Sequence, residues 1–326
     1  MQRLSLLVLA LLIFGALPIH AQEIGADPLT VSISPQYPKP FDTITVTPGS
    51  TLLDLPSSSV TISANGSVVQ KGSGTQAAAV RVGAAGTRTT ILVTVITPDG
   101  QSHAKQVTIR PADVSLILEP SSTVPPFYKG ASLVASEGRV RIVAIPDIRN
   151  DANVRLSPSS LVYMWRLGDQ ILQSSSGIGK SVLSATAPVR YRDTVVTVTV
   201  STVDSSIVAE QSVVVAPADP VVRIYRNDPL LGPLFGAALS GTYSMADTET
   251  TFRAVPYFFG APPNIAWTVG GSMSGEDKDL TVRATGNGAG TSAVSVSAKH
   301  PDFHQTAQGG FSVKFGASKG LGIFGL

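Results

Sequence analysis

From Gln22 onward the chain alternates apolar and polar side chains with a period of two. Thr90-Ile91-Leu92-Val93-Thr94-Val95, Thr194-Val195-Val196-Thr197-Val198-Thr199-Val200 and Ala293-Val294-Ser295-Val296-Ser297 are the clearest runs, rich in β-branched or small residues. Such alternation buries one set of side chains and leaves the other in water, which is the pattern of antiparallel strands. No stretch of this region sustains apolar residues at i, i+3 and i+4 between capping residues, so no long helix is expected.

The strands recur at a spacing of roughly 100 residues. Ser59-Val60-Thr61-Ile62, Val162-Tyr163-Met164-Trp165 and Ile265-Ala266-Trp267 are each followed by a glycine-bearing turn: Asn65-Gly66, Gly168-Asp169 and Gly270-Gly271. Next come Gly72-Ser73-Gly74, Gly177-Ile178-Gly179 and Ser274-Gly275, then the three alternating runs, then Gln106–Ile109, Ser212–Val215 and Phe311–Phe315. Each unit opens alike with Val31–Ile33, Val114–Leu116 or Val221–Ile224, a proline-bearing kink and a second strand at Thr43–Val46, Val140–Ile145 or Thr251–Val255. About seven strands per unit, with turn signals every 8–12 residues, predict a β-sandwich.

A lone tryptophan on a central strand, a glycine turn and long alternating strands together resemble bacterial Ig-like and PKD-like domains. Trp165 and Trp267 stand where such domains place the aromatic that fills the space between sheets, and Ile62 takes that place in the first unit. The segments Pro125-Pro126-Phe127-Tyr128-Lys129-Gly130, Val143-Ala144-Ile145-Pro146 and Tyr163-Met164-Trp165 are also similar to an exported multi-domain family of small-genome bacteria. The resemblance implies an all-β chain of three tandem Ig-like β-sandwich domains behind an N-terminal signal peptide. It implies architecture and export, not an activity.

The expected organisation is a signal peptide at 1–21, sandwiches at 22–111, 112–217 and 218–316, and a glycine-rich tail at 317–326. Arg3 and the terminal amine precede the apolar run Leu4–Leu17, Pro18 breaks it, and Ile19-His20-Ala21 ends at an acceptable cleavage site. That run is shorter than the ~20 residues that span a bilayer, and no later segment is apolar for long enough, so no transmembrane segment is expected in the mature chain. The joints Arg110–Asp113 and Ala216–Pro220 carry prolines, which restrict them and favour a stiff rod of domains.

Composition sharpens this reading. Of the 326 residues 14% are charged, with a formal net charge of +2 and no cysteine. The small balance argues against a nucleic-acid partner, which calls for a concentrated basic surplus. Without cysteine there are no disulfides, thiol nucleophiles or thiolate metal sites, so the domains hold by packing alone. The location expected is secreted or on the extracytoplasmic cell surface, the periplasm included.

Few constellations carry chemistry. Gly177-Ile178-Gly179-Lys180-Ser181 mimics the end of a phosphate loop, but Ser174 replaces the leading glycine and no helix start follows, so a turn between strands is expected, like Gly72-Ser73-Gly74. His300 and His304 have a zinc-like spacing that Pro301 denies a helix, so solvated histidines in a loop are expected. No strained Gly-x-Ser-x-Gly elbow accompanies any serine, and no catalytic residues or cofactor are assigned. The acidic loops give weak calcium candidates, Asp147 and Asp151 beside Asn150 and Asn153, and Asp277 and Asp279 beside Glu276.

Two apolar segments exceed what a sandwich consumes, Pro125–Tyr128 and Leu230–Phe235. They are expected either to pack at a domain junction or to form an exposed patch for a partner, with Phe127, Tyr128, Leu234 and Phe235 as the binding residues and Phe324 of the tail as a further one. The function expected is that of a non-enzymatic structural or adhesive protein whose partners are proteins of the cell envelope, itself among them. The alternatives are a subunit of an extracellular filament or envelope complex and a carbohydrate-binding accessory module.

Overall fold

A computed structural model describes residues 27–285 and 288–316. The expected signal peptide and tail, with His20 and Phe324, lie outside the described residues. Packing divides the chain into two compact units, one drawn from Met1–Ser32, Val46–Ala78 and Ile91–Val107, the other from Ile33–Thr45, Ala79–Thr90 and Thr108–Leu326.

The first set of strands is β1 (Thr30–Ser34), β2 (Thr43–Gly49), β3 (Ser59–Ala64), β4 (Ser67–Ser73), β5 (Ala78–Arg81), β6 (Thr89–Ile96) and β7 (Ser102–Ile109). The second is β8 (Asp113–Pro120), β9 (Arg139–Asp147), β10 (Val162–Leu167), β11 (Gln170–Ile171), β12 (Gly177–Ile178), β13 (Val182–Thr186), β14 (Thr194–Ser201) and β15 (Val208–Val215). The third is β16 (Val221–Asp228), β17 (Gly232–Pro233), β18 (Thr242–Ser244), β19 (Glu249–Tyr257), β20 (Asn264–Val269), β21 (Ser272–Gly275), β22 (Asp279–Arg283), β23 (Gly290–Lys299) and β24 (Thr306–Phe315). The helices described are two single 3₁₀ turns, Pro158–Ser160 and Gln173–Ser175.

The same connectivity repeats three times. One sheet orders its strands β1-β2-β5, β8-β9-β13 or β16-β19-β22, and the other orders them β4-β3-β6-β7, β11-β10-β14-β15 or β21-β20-β23-β24. Two antiparallel sheets with this order are the Ig-like β-sandwich. Period-two alternation decides which face is buried: β6 reads buried at every other residue from Thr89 to Val95. The central pairs superpose by register, Ile62 opposite Val93, Trp165 opposite Val198 and Trp267 opposite Val296. All six are buried, both indoles completely.

Each indole N–H still needs a partner in that apolar interior. Trp165 Nε1 donates to the Lys180 carbonyl at 2.8 Å and Trp267 Nε1 to the Asp277 carbonyl at 2.9 Å. Lys180 lies between β12 and β13, and Asp277 in the corresponding stretch between β21 and β22. The hairpin turns also correspond. Asn65 and Gly66 have φ 49 and 84, Gly270 and Gly271 φ 57 and 85, the two positive values of a type I′ turn.

The glycine pairs after those hairpins are not simple turns. Gly72 and Ser73 end β4 and Gly177-Ile178 form β12 on β10, opposite Tyr163 and Val162. The chain turns only at Gly74 and Gly179, with φ 83 and 71. In the second sandwich this segment serves the tryptophan, with Ser176 Oγ accepting the Trp165 N–H at 3.0 Å and the Lys180 carbonyl the indole N–H. A strand, β13, follows Ser181.

Candidate functional site

Within the second unit the second and third sandwiches are joined by side chains that a linker alone does not supply. Beyond β8 the chain leaves its sheet and runs past the third sandwich before returning as β9. Thr123 N–H donates to the Phe259 carbonyl at 2.7 Å and Phe258 N–H to the Thr123 carbonyl at 2.7 Å, a miniature ladder between the sandwiches. Gln305, 1% exposed, closes the far side. Its Oε1 accepts the Gly260 N–H at 2.8 Å and its Nε2 donates to the Ser136 carbonyl. His304 N–H donates to Glu137 Oε2 at 3.1 Å.

The ladder positions the segment that follows it. Pro125-Pro126 pre-sets a turn closed by Tyr128 N–H on the Pro125 carbonyl at 3.1 Å. Tyr128 packs edge-on against Tyr257 and Phe258, with centroids 5.7 and 5.8 Å apart. Phe235 reaches back from beyond β17 to sit 5.2 Å from Tyr225 and 6.4 Å from Phe127. The Tyr225 and Tyr257 hydroxyls are hydrogen-bonded at 2.9 Å. Burial, and then the Tyr225 hydroxyl, raise the Tyr257 phenol above its ordinary pKa, so it stays neutral at physiological pH.

Phe127 stands apart in this cluster. It is 88% exposed and its backbone has φ 71, a region that costs an L-residue roughly 1–2 kcal/mol. It borders two cavities, which it lines together with Pro125, Pro126 and Phe235. The smaller, about 170 Å³, is lined by Lys129, Tyr225 and Tyr257, and the larger, about 420 Å³, by Val124, Pro126, Pro233, Pro256, Pro262 and Pro263. Arg253 and Lys278 also line the larger cavity, and the Arg253 guanidinium is held by Asp279, with Nε on Oδ1 at 2.7 Å. The result is a proline- and aromatic-walled groove with cations at its margin.

The structure brings Phe127, Tyr128 and Phe235 together as a group. Leu234 does not join them: it is half-buried, its N–H is committed to the Arg226 carbonyl at 2.9 Å, and it lines neither cavity. Sequence reading missed Thr123, Tyr225, Tyr257 and Gln305. The run Tyr257-Phe258-Phe259-Gly260-Ala261-Pro262-Pro263 at the end of a predicted strand carried the signal.

Of the acidic candidates for calcium, Asp147, Asp151 and Asp279 are paired with other side chains. Asp147 faces Arg149 Nε at 2.9 Å and Arg155 Nε at 3.5 Å, and Asp151 faces Arg88 and Arg110. The Arg88 hydrogen bond, with the nearby Arg110 charge, holds the Asp151 carboxyl below the ordinary value. Asp279 is taken by Arg253 and Asn227, and Asp277 lies exposed. Among the described residues no three metal-ligating side chains cluster.

His300 is buried, contrary to the solvated histidine expected, at 3% exposure. Pro301 ends the strand there and folds the loop back, so that Nδ1 accepts the N–H groups of Asp302 and Phe303 at 3.0 and 3.1 Å and the ring stacks on Phe303. His304 is the exposed one, with Nδ1 3.5 Å from Glu137. Among the described residues no helix is long and apolar enough to cross a membrane.

No protein-family model matches the chain, and no curated protein does. Solved structures are similar in fold. Fibronectin(III)-like modules of Clostridium thermocellum CbhA show 14% identity over 58% of this chain and 94% of theirs, with a TM-score of 0.27. The three N-terminal domains of the bacteriophage RB49 highly immunogenic outer capsid protein show 13% identity over 90% of this chain and 100% of theirs, with a TM-score of 0.28. Sidekick-1 immunoglobulin domains 1–5 show 8% identity over 88% of this chain and 58% of theirs, with a TM-score of 0.31. The chain is a tandem array of Ig-like β-sandwiches, an assignment that rests on its own strand order and register.

Proposed function

We propose that this is a non-enzymatic structural or adhesive protein of the extracytoplasmic surface, secreted or periplasmic, that binds a protein partner through the groove at its second joint. Phe127 carries the reading. A large apolar ring is presented to solvent on a backbone conformation that phenylalanine disfavours, and strain kept at an exposed apolar position is characteristic of a binding site. The fixed joint supports it, because a groove built from two sandwiches holds its shape only while they stay in register. Both indoles are fully buried, which removes them as platforms for sugar rings.

The test is titration of the fluorescently labelled chain onto the envelope fraction of the organism that makes it. Phe127→Gly relieves the positive φ, so thermal stability is expected to stay level or rise while affinity falls at least tenfold. Val203→Ala, at an exposed site elsewhere, leaves both unchanged. Undiminished binding by the Phe127→Gly chain refutes the proposal.

A further inference from the structure

The groove beside Phe127 has walls that select the backbone of whatever fills it. Pro125, Pro126, Pro233, Pro256, Pro262 and Pro263 line the larger cavity, and none of them has a backbone N–H. β19 passes along the same cavity from Arg253 to Pro256. Arg253 is paired on both sides, with Tyr225 of β16 and Asp279 of β22, and the Ala254 N–H is spent on the Lys278 carbonyl at 2.8 Å. Two residues on, the same flank of β19 reaches Pro256, which has no donor to give. The Thr123 and Tyr128 N–H groups are likewise spent, on the Phe259 and Pro125 carbonyls. A partner in β conformation therefore gains no ladder here.

The smaller cavity does hold a donor. Tyr225 and Tyr257 share a single hydrogen bond, hydroxyl to hydroxyl at 2.9 Å, which uses one of their two hydrogens. Among the described residues nothing accepts the other, and a partner carbonyl suits it. An α-helix spends its carbonyls internally, whereas a polyproline II segment makes no internal hydrogen bonds and leaves them free. Phe127, Tyr128 and Phe235 add the aromatic faces on which proline rings pack. Pro125, Pro126, Phe127 and Phe235 line both cavities, so the two are neighbouring pockets with common walls. A polyproline II segment presents side chains to one face at every third residue, about 9 Å apart, and so addresses two pockets in succession.

Charge narrows the partner further. Lys129 lines the smaller cavity and Lys278 the larger, and no acidic side chain lines either. Both lysines are exposed, and among the described residues neither is in an ion pair with a carboxylate. Arg253 differs, because Asp279 already neutralises it. A positive charge left over at each pocket is complemented by acidic residues in the segment that fills them.

We infer that the groove takes an acidic, proline-rich segment of another protein in the polyproline II conformation. Prolines enter the two cavities, a backbone carbonyl accepts the spare hydrogen of the Tyr225–Tyr257 pair, and carboxylates face Lys129 and Lys278. The inference rests on the groove being the partner site and adds the chemical class of the partner.

The probe is a display library of random dodecapeptides, selected on the whole immobilised chain and counter-screened on the Phe127→Gly chain. Selected sequences are expected to carry two prolines three positions apart with an acidic residue close to either, at least tenfold above their frequency in the library. The tightest of these peptides should lose at least tenfold in affinity when Lys129→Glu and Lys278→Glu are combined. It should keep its affinity for Lys71→Glu, an exposed lysine of β4. Peptides that lack proline or acid, yet bind wild type and not Phe127→Gly, overturn this partner class and leave the groove standing. Acidic proline-rich peptides that bind Phe127→Gly undiminished overturn both. A selection with no enrichment overturns the inference alone, since the envelope titration reads the groove independently.

Discussion

Gln305→Leu tests whether the second and third sandwiches are one cooperative body. The substitution keeps the side-chain volume and removes both polar atoms. Gln305 is 1% exposed, so the Gly260 N–H and Ser136 carbonyl it serves are left dry and unpaired. A buried backbone group that loses its partner costs about 1–3 kcal/mol, and water entering the joint recovers part of it, so the sum is about 2–4 kcal/mol. For a cooperative unit of roughly 150–250 residues each kcal/mol moves Tm by about 2–4 °C, which gives a fall of roughly 5–15 °C. The assay is differential scanning calorimetry of the whole chain, with Gln173→Leu at an exposed position as the control. Wild type is expected to unfold both sandwiches in one transition, and Gln305→Leu to lower that transition or split it. A variant within 1 °C of wild type, with an unaltered peak, refutes the argument that this glutamine couples them.

Trp165→Phe and Trp267→Phe each strand a carbonyl, Lys180 or Asp277, and leave a void, so each is expected to cost about 2–4 kcal/mol in denaturant titrations. Wild-type fluorescence should resist acrylamide quenching, since both indoles are fully buried. Acid should weaken the fold through Asp151. Arg88, with Arg110, holds its folded pKa below the 3.8 of the unfolded chain, so its contribution is complete above that value and disappears as pH falls through the folded one. Asp151→Asn should therefore flatten the decline in unfolding midpoint as pH falls below 3.8, and an unchanged decline removes Asp151 from the account.

Where strands lie was legible because burial of one sheet face imposes a period of two on local sequence. The run Thr194–Val200 falls wholly within β14, and the repeat of tryptophan, glycine turn and alternating run marked equivalent positions in two units. Individual partners were not legible. Asp147 and Asp151 stood out as weak calcium candidates because oxygen ligands crowd one loop, but the arginines that meet Asp151 come from 41 and 63 residues away. His300 read as solvated because Pro301 denies a helix and leaves a loop, yet stacking on Phe303 and two N–H groups on Nδ1 give it a buried niche.

The apolar excess of Pro125–Tyr128 and Leu230–Phe235 was visible in one dimension; that the two segments share a wall was not. By itself the sequence determined strand positions, the faces they bury, the hairpin turns and the absence of disulfide chemistry, all consequences of local pattern and residue type. Tertiary structure alone decided that Thr123 pairs with Phe258 and Phe259 and that Gln305 spans two sandwiches. Such pairings join residues more than a hundred positions apart, and their energy depends on packing geometry that no local period encodes.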